Sequence, residues 1–134
     1  MLVVEDDRAA RVLLALVLLD ELGLRVVQAG DGREALTLAG RERPDLVVLD
    51  MMLPRVDGPA VCRRLKADPA TAAVPVIGMS AAMTRAEGIE VGCDAFLVKP
   101  FDLADFVALV RGALLRADRA EEPKEPRPGS ATTG

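Results

Sequence analysis

Leu46-Val47-Val48-Leu49-Asp50-Met51-Met52-Leu53-Pro54-Arg55-Val56-Asp57-Gly58-Pro59 is the stretch that decides how this chain folds. Four apolar residues make a short run of the kind found in a strand buried on both faces. The run stops at a carboxylate, Pro54 to Gly58 supply a turn, and Asp57-Gly58-Pro59 opens a helix. Three other runs follow the same plan. Leu2-Val3-Val4 leads into Glu5-Asp6-Asp7, Val74 to Met79 delivers Ser80, and Phe96-Leu97-Val98 leads into Lys99-Pro100. In α/β sheets, ligand chemistry gathers beyond the carboxyl ends of the strands. Four distant stretches therefore bring carboxylates, a hydroxyl and an ammonium toward one pocket.

Between these runs, helix and strand signals alternate with short connections, which predicts parallel βαβ units. Strand 1 is Leu2 to Glu5. Asp7 caps a helix from about Arg8 to Leu22, with Gly23 as its stop. Strand 2 covers about Leu24 to Ala29, and Asp31 with Glu34 resembles a capping box starting helix 2 toward Arg41. Strand 3 is Leu46 to Leu49, helix 3 stops at Asp68-Pro69, and strand 4 spans Val74 to Met79. Helix 4 is short and weak, interrupted by Gly88. Strand 5 is Ala95 to Val98, and helix 5 starts at Asp102. Its Phe106, Leu109, Val110, Ala113 and Leu114 make an amphipathic stripe. Five strands and five helices in alternation, with right-handed crossovers, predict a three-layer α/β/α sandwich. That domain is expected over residues 1–118, with a disordered Pro/Gly-rich tail or linker over 119–134.

Composition narrows the function. At 134 residues the chain is one domain, and 51% apolar content favours a sheet covered on both faces. Net charge is -4 without a basic cluster, so no direct contact with nucleic acid is expected. With no histidine, histidine triads and imidazole metal sites are excluded. Cys62 and Cys93 lack zinc-site spacing and are expected to be reduced and buried. No apolar run reaches the ~20 residues of a membrane span and no signal peptide precedes Leu2, so a soluble, cytoplasmic protein is expected.

The pocket residues suit a divalent cation and a phosphoryl group. Mg²⁺ takes oxygen ligands, and Glu5, Asp6, Asp50 and the Met52 backbone carbonyl can supply them. Asp50 is the candidate nucleophile, since a carboxylate can form an aspartyl-phosphate. Lys99 can pair with one phosphoryl oxygen and the Ser80 hydroxyl can donate to another. Taken singly, each has an ordinary explanation as a helix cap, a turn residue, a strand-end hydroxyl or a solvated lysine. Their joint order at four strand ends does not.

These residues resemble the receiver (CheY-like) domain of bacterial two-component response regulators. The resemblance covers about residues 2–117. It is carried by Val3-Val4-Glu5-Asp6-Asp7, by Asp50-Met51-Met52-Leu53-Pro54-Arg55-Val56-Asp57-Gly58, by Met79-Ser80-Ala81 and by Lys99-Pro100-Phe101. It implies a flavodoxin-like strand order 2-1-3-4-5. It further implies that Asp50 accepts a phosphoryl group from a sensor histidine kinase or a histidine phosphotransfer protein, with Mg²⁺ held by Glu5, Asp6, Asp50 and Met52. By the same resemblance Lys99-Pro100 is cis, and Ser80 and Phe96 are the switch pair. The kinase is implied to dock on helix 1, which is mostly core but where some of Leu14, Ala15 and Leu18 are expected to be exposed.

The implied output is a downstream protein target or output domain, with phosphorylation-dependent homodimerisation as one form of it. Only 18 residues separate Ser80 from Lys99, about one helical turn fewer than expected of the family. The chain is not expected to be an enzyme beyond phosphorylating and dephosphorylating its own aspartate. A phosphorylation-independent binding module is the alternative. An aspartate phosphatase is disfavoured because Met52, not a carboxylate, stands two residues after Asp50.

Overall fold

A computed structural model describes residues 1–121 of the chain, and side chains through residue 117. Five strands run β1 (Leu2–Val4), β2 (Val27–Ala29), β3 (Val47–Asp50), β4 (Val76–Ser80) and β5 (Ala95–Val98). They alternate with α1 (Arg8–Leu22), α2 (Gly32–Glu42), α3 (Gly58–Ala67), α4 (Arg85–Val91) and α5 (Leu103–Glu121). All strand pairs are parallel, in the order β2-β1-β3-β4-β5.

Successive strand residues point to opposite faces, so the apolar runs fill two cores at once. Leu2, Val4, Val47, Leu49 and Val76 pack with Ala35 and Ala39 of α2 and Val61 and Leu65 of α3. Val3, Val48, Ile77 and Met79 pack with Leu14 and Leu18 of α1 and Phe106 and Val110 of α5. Every residue of β1, β3 and β4 is buried.

The register places the chemistry. Val4 lies beside Leu49, Asp50 beside Met79, and Ser80 beside Val98. Glu5, Asp50, Ser80 and Lys99 therefore leave the sheet along one edge.

Side-chain caps start four helices. Asp7 accepts from the Ala10 N–H at 3.0 Å, Asp31 from Glu34 at 2.8 Å and Asp57 from Ala60 at 2.9 Å. Glu34 reaches back to the Gly30 N–H at 2.8 Å, one residue before the cap itself. Thr84 and Glu87 form a reciprocal capping box on α4, and the exchange holds the Glu87 carboxyl below its ordinary range. Gly23, at φ 65, ends α1 in the left-handed region.

Several expected boundaries move, for physical reasons. β2 begins at Val27 instead of Leu24, because the first residue of β1, Leu2, pairs with Val27, and before it only Met1 touches this segment, through the Arg25 carbonyl. β4 begins at Val76, since Pro75 has no N–H to donate. α5 runs through Glu121, so residues 119–121, assigned to the tail, belong to the helix; the rest of the tail lies outside the described residues.

The expected exposure of Leu14, Ala15 and Leu18 is corrected. These three are the buried side of α1, at 5%, 8% and 0% exposure, and Leu13, Leu16 and Leu19 face outward. Apolar residues on every side of this helix give no polar stripe by which to orient it.

Candidate acidic pocket at the strand ends

β1 and β3 each carry a carboxylate into the same small space. The Glu5 and Asp50 side chains are buried, and the Asp6 side chain is exposed at the rim. One oxygen from each of the three lies within 4.8 Å of the others. The Lys99 ammonium reaches in from the end of β5, donating to Glu5 Oε1 at 2.8 Å and Asp50 Oδ2 at 3.0 Å. Burial disfavours this ammonium, but its hydrogen bonds to Glu5 and Asp50 outweigh that and raise its pKa above the lysine range. A single cation thus compensates two buried anions.

The backbone fixes the remaining oxygens. Asp50 Oδ1 accepts from the Met52 N–H at 2.9 Å, and Glu5 Oε2 accepts from the Asp7 N–H at 3.1 Å. The Met52 side chain points away, 61% exposed. Behind Asp50 the chain folds back tightly, Gly58 donating its N–H to the Met51 carbonyl at 3.1 Å. A Cβ on Gly58 would stand 2.3 Å from the Met51 Cα, so any other residue there forces the loop off Asp50.

Ser80 is fully buried at the end of β4, and its hydroxyl oxygen accepts from the Ala82 N–H at 2.9 Å. The Lys99 N–H donates to the Ser80 carbonyl at 2.9 Å, and the Lys99-Pro100 bond is cis. Phe96 is turned inward, 6% exposed. Its ring occupies the space where a Cβ on Gly88 would stand, 2.1 Å from Phe96 Cδ1. Gly88 is therefore the residue that lets Phe96 pack under α4, not a flaw in that helix.

Arg11 is a residue that sequence reasoning passed over. It donates to the Glu5 carbonyl at 2.9 Å and to Gln28 Oε1 at 3.2 Å, bracing the β1–α1 loop against β2. Arg55, at φ 69, pairs with Asp31 at 2.9 Å and ties the loop after β3 to the start of α2. An arginine within the otherwise apolar stretch from Ala9 to Leu19 is the only signal for the first, and none marks the second.

The profile of the response regulator receiver domain matches residues 1–111. The chain belongs to that family. It is a receiver domain of two-component signalling, with the flavodoxin-like sheet order that the resemblance implied. The DNA-binding dual master transcriptional regulator RpaA of Synechocystis sp. is 41% identical over 121 residues, covering 88% of this chain and 50% of that protein. The DNA-binding response regulator MtrA of Mycobacterium tuberculosis is 42% identical over 127 residues, covering 92% and 53%. Among solved structures, the receiver domain of a signal transduction histidine kinase from Syntrophus aciditrophicus superposes with a TM-score of 0.81 at 30% identity, covering 93% of this chain and 96% of that one.

The receiver spans about half the length of the curated relatives it matches, and both of those cited are named for binding DNA. The expected absence of direct contact with nucleic acid is therefore corrected. That expectation rested on the charge of these residues alone, which carries no information about the other half of such regulators. No helix of the described residues is long and apolar enough to cross a membrane.

Proposed function

We propose that this receiver is a Mg²⁺-dependent phosphoacceptor whose Asp50 takes a phosphoryl group from the histidine of a sensor kinase or phosphotransfer protein. The observation that carries this reading is the contact of one ammonium, Lys99, with both Glu5 and Asp50 while Asp6 completes the acidic cluster. The donor set fits Mg²⁺: hard carboxylate oxygens, one of them on an exposed residue that leaves room for water, with the Met52 carbonyl as a further oxygen. When bound, the ion neutralises charge on the incoming phosphoryl group.

The chain's own residues do the rest. The Met52 N–H pins one Asp50 oxygen and so orients the carboxylate toward the pocket. Asp50 forms an oxygen–phosphorus bond as the phosphorus–nitrogen bond to the donor histidine breaks. Lys99, already at Asp50, turns its ammonium to a phosphoryl oxygen, which needs positioning more than covalent chemistry. Ser80 leaves the Ala82 N–H to donate to a second oxygen, while Phe96, its partner in the switch, is already turned inward beneath α4. The chemistry assigned to the chain is confined to its own aspartate. We place it in the cytoplasm, a reading supported by its free cysteines. Similarity to two regulators named for DNA binding supports an output of that kind, in the same polypeptide or through a partner.

Incubation with Mg²⁺ and acetyl phosphate, followed by intact mass, tests this. A phosphoryl mass is expected on the natural chain and absent from Asp50→Asn. Equal labelling of both refutes the assignment.

A further inference from the structure

Cys62 on α3 and Cys93, between α4 and β5, take no part in the acidic pocket, and both thiols are free and buried. They lie in the core layer that also holds Phe96. Each thiol is the largest influence on the other. Hydrogen bonding to Cys93 holds Cys62 below the ordinary thiol range, against the opposing effect of burial. The same contact, reinforced by burial, pushes Cys93 above that range.

Neighbouring backbone places them independently. A Cβ on Gly92 would stand 3.5 Å from the Cys62 sulfur, so the chain passes directly against Cys62 one residue before Cys93. A Cβ on Gly78 would meet both the Cys93 sulfur and the Phe96 ring at 2.7 Å, so a bare glycine makes room for the pair. One buried cysteine is ordinary packing. Two, brought from distant elements into mutual contact, are positioned to react.

We propose that Cys62 and Cys93 form an oxidisable dithiol, which hydrogen peroxide converts to an intramolecular disulfide tying α3 to the segment between α4 and β5. The Cys62 sulfur attacks a peroxide oxygen; a sulfur–oxygen bond forms, the oxygen–oxygen bond breaks, and the thiol proton leaves in water. The Cys93 sulfur then displaces the sulfenic oxygen, which departs with the Cys93 proton as a second water. Two thiols are oxidised and one peroxide is reduced. The oxidant enters by local opening of α4, which has seven residues and ends at Gly92 with φ 123.

The full chain, reduced and then freed of reductant, is treated with hydrogen peroxide and followed by intact mass and peptide mapping. The monomer is expected to lose the mass of two hydrogens, with the peptides holding Cys62 and Cys93 joined until reduced. In Cys93→Ser, an oxygen is expected to remain on Cys62, where dimedone traps it. Far-ultraviolet circular dichroism establishes that the variant is folded, and the cross-link in the natural chain is read without it. No reaction, oxygen gained without a cross-link, or a cross-link only between two copies overturns the proposal.

Discussion

Lys99 holds together two carboxylates that burial would otherwise set against each other. Removing one partner of a fully buried ion pair costs about 3–5 kcal/mol. The Lys99 side chain is 30% exposed, so water takes up part of that cost here. Lys99→Met is therefore expected to lower the thermal midpoint in EDTA and to gain more from added Mg²⁺ than the natural chain, because the metal replaces the missing cation. Thermal unfolding with and without Mg²⁺ measures this, and equal metal-induced shifts would contradict it. Gly88 offers a second test. An alanine in a helix interior normally gains about 1 kcal/mol over glycine. Here the new methyl meets the Phe96 ring, and overpacking of that kind costs about 1–3 kcal/mol. Gly88→Ala is expected to destabilise, and Gly88→Ala with Phe96→Leu to recover part of the loss in urea unfolding. Stabilisation by Gly88→Ala alone would mean that Phe96 is free to move aside.

Among the elements, α1 separates what sequence shows from what it hides. Its cap at Asp7 and stop at Gly23 were legible, because each is a residue type with one local job. Its orientation was not, because Leu13, Leu14, Ala15, Leu16, Leu18 and Leu19 are all apolar. Only packing chooses which of them face the sheet. Leu18→Asp, at a residue that sequence alone places among the docking positions, puts a carboxylate in the core. It is expected to cost at least about 3 kcal/mol. Leu16→Asp, at a position 56% exposed, is expected to change stability by less than about 0.5 kcal/mol while slowing phosphotransfer from a partner kinase. Urea midpoints and phosphotransfer rates of the two variants check this; similar unfolding losses would place the helix in a different orientation. β2 teaches the converse. Its apolar run reads as a longer strand, but a strand extends only as far as its neighbour, and β1 begins at Leu2.

For the molecule as a whole, the fold was legible because one chemical type recurs at the right places: short buried runs, each ended by a reactive residue. Glu5, Asp50, Ser80 and Lys99 could be assigned to one edge because a parallel sheet leaves them no other. The supporting contacts were not readable. Arg11 on the Glu5 carbonyl and Arg55 on Asp31 depend on how loops cross, which no local pattern encodes. Nor could the charge of this domain report on nucleic acid, since it says nothing of the remaining length of its relatives.

The most direct measurement is the location of the phosphoryl group. After reaction with acetyl phosphate and Mg²⁺, borohydride reduction converts a phosphorylated aspartate to homoserine, which peptide mass spectrometry locates. Homoserine is expected at Asp50, with none formed when EDTA replaces the metal. A label on Asp6 or Asp57 instead, or an equal yield in EDTA, would contradict the assignment of Asp50 as the metal-assisted acceptor.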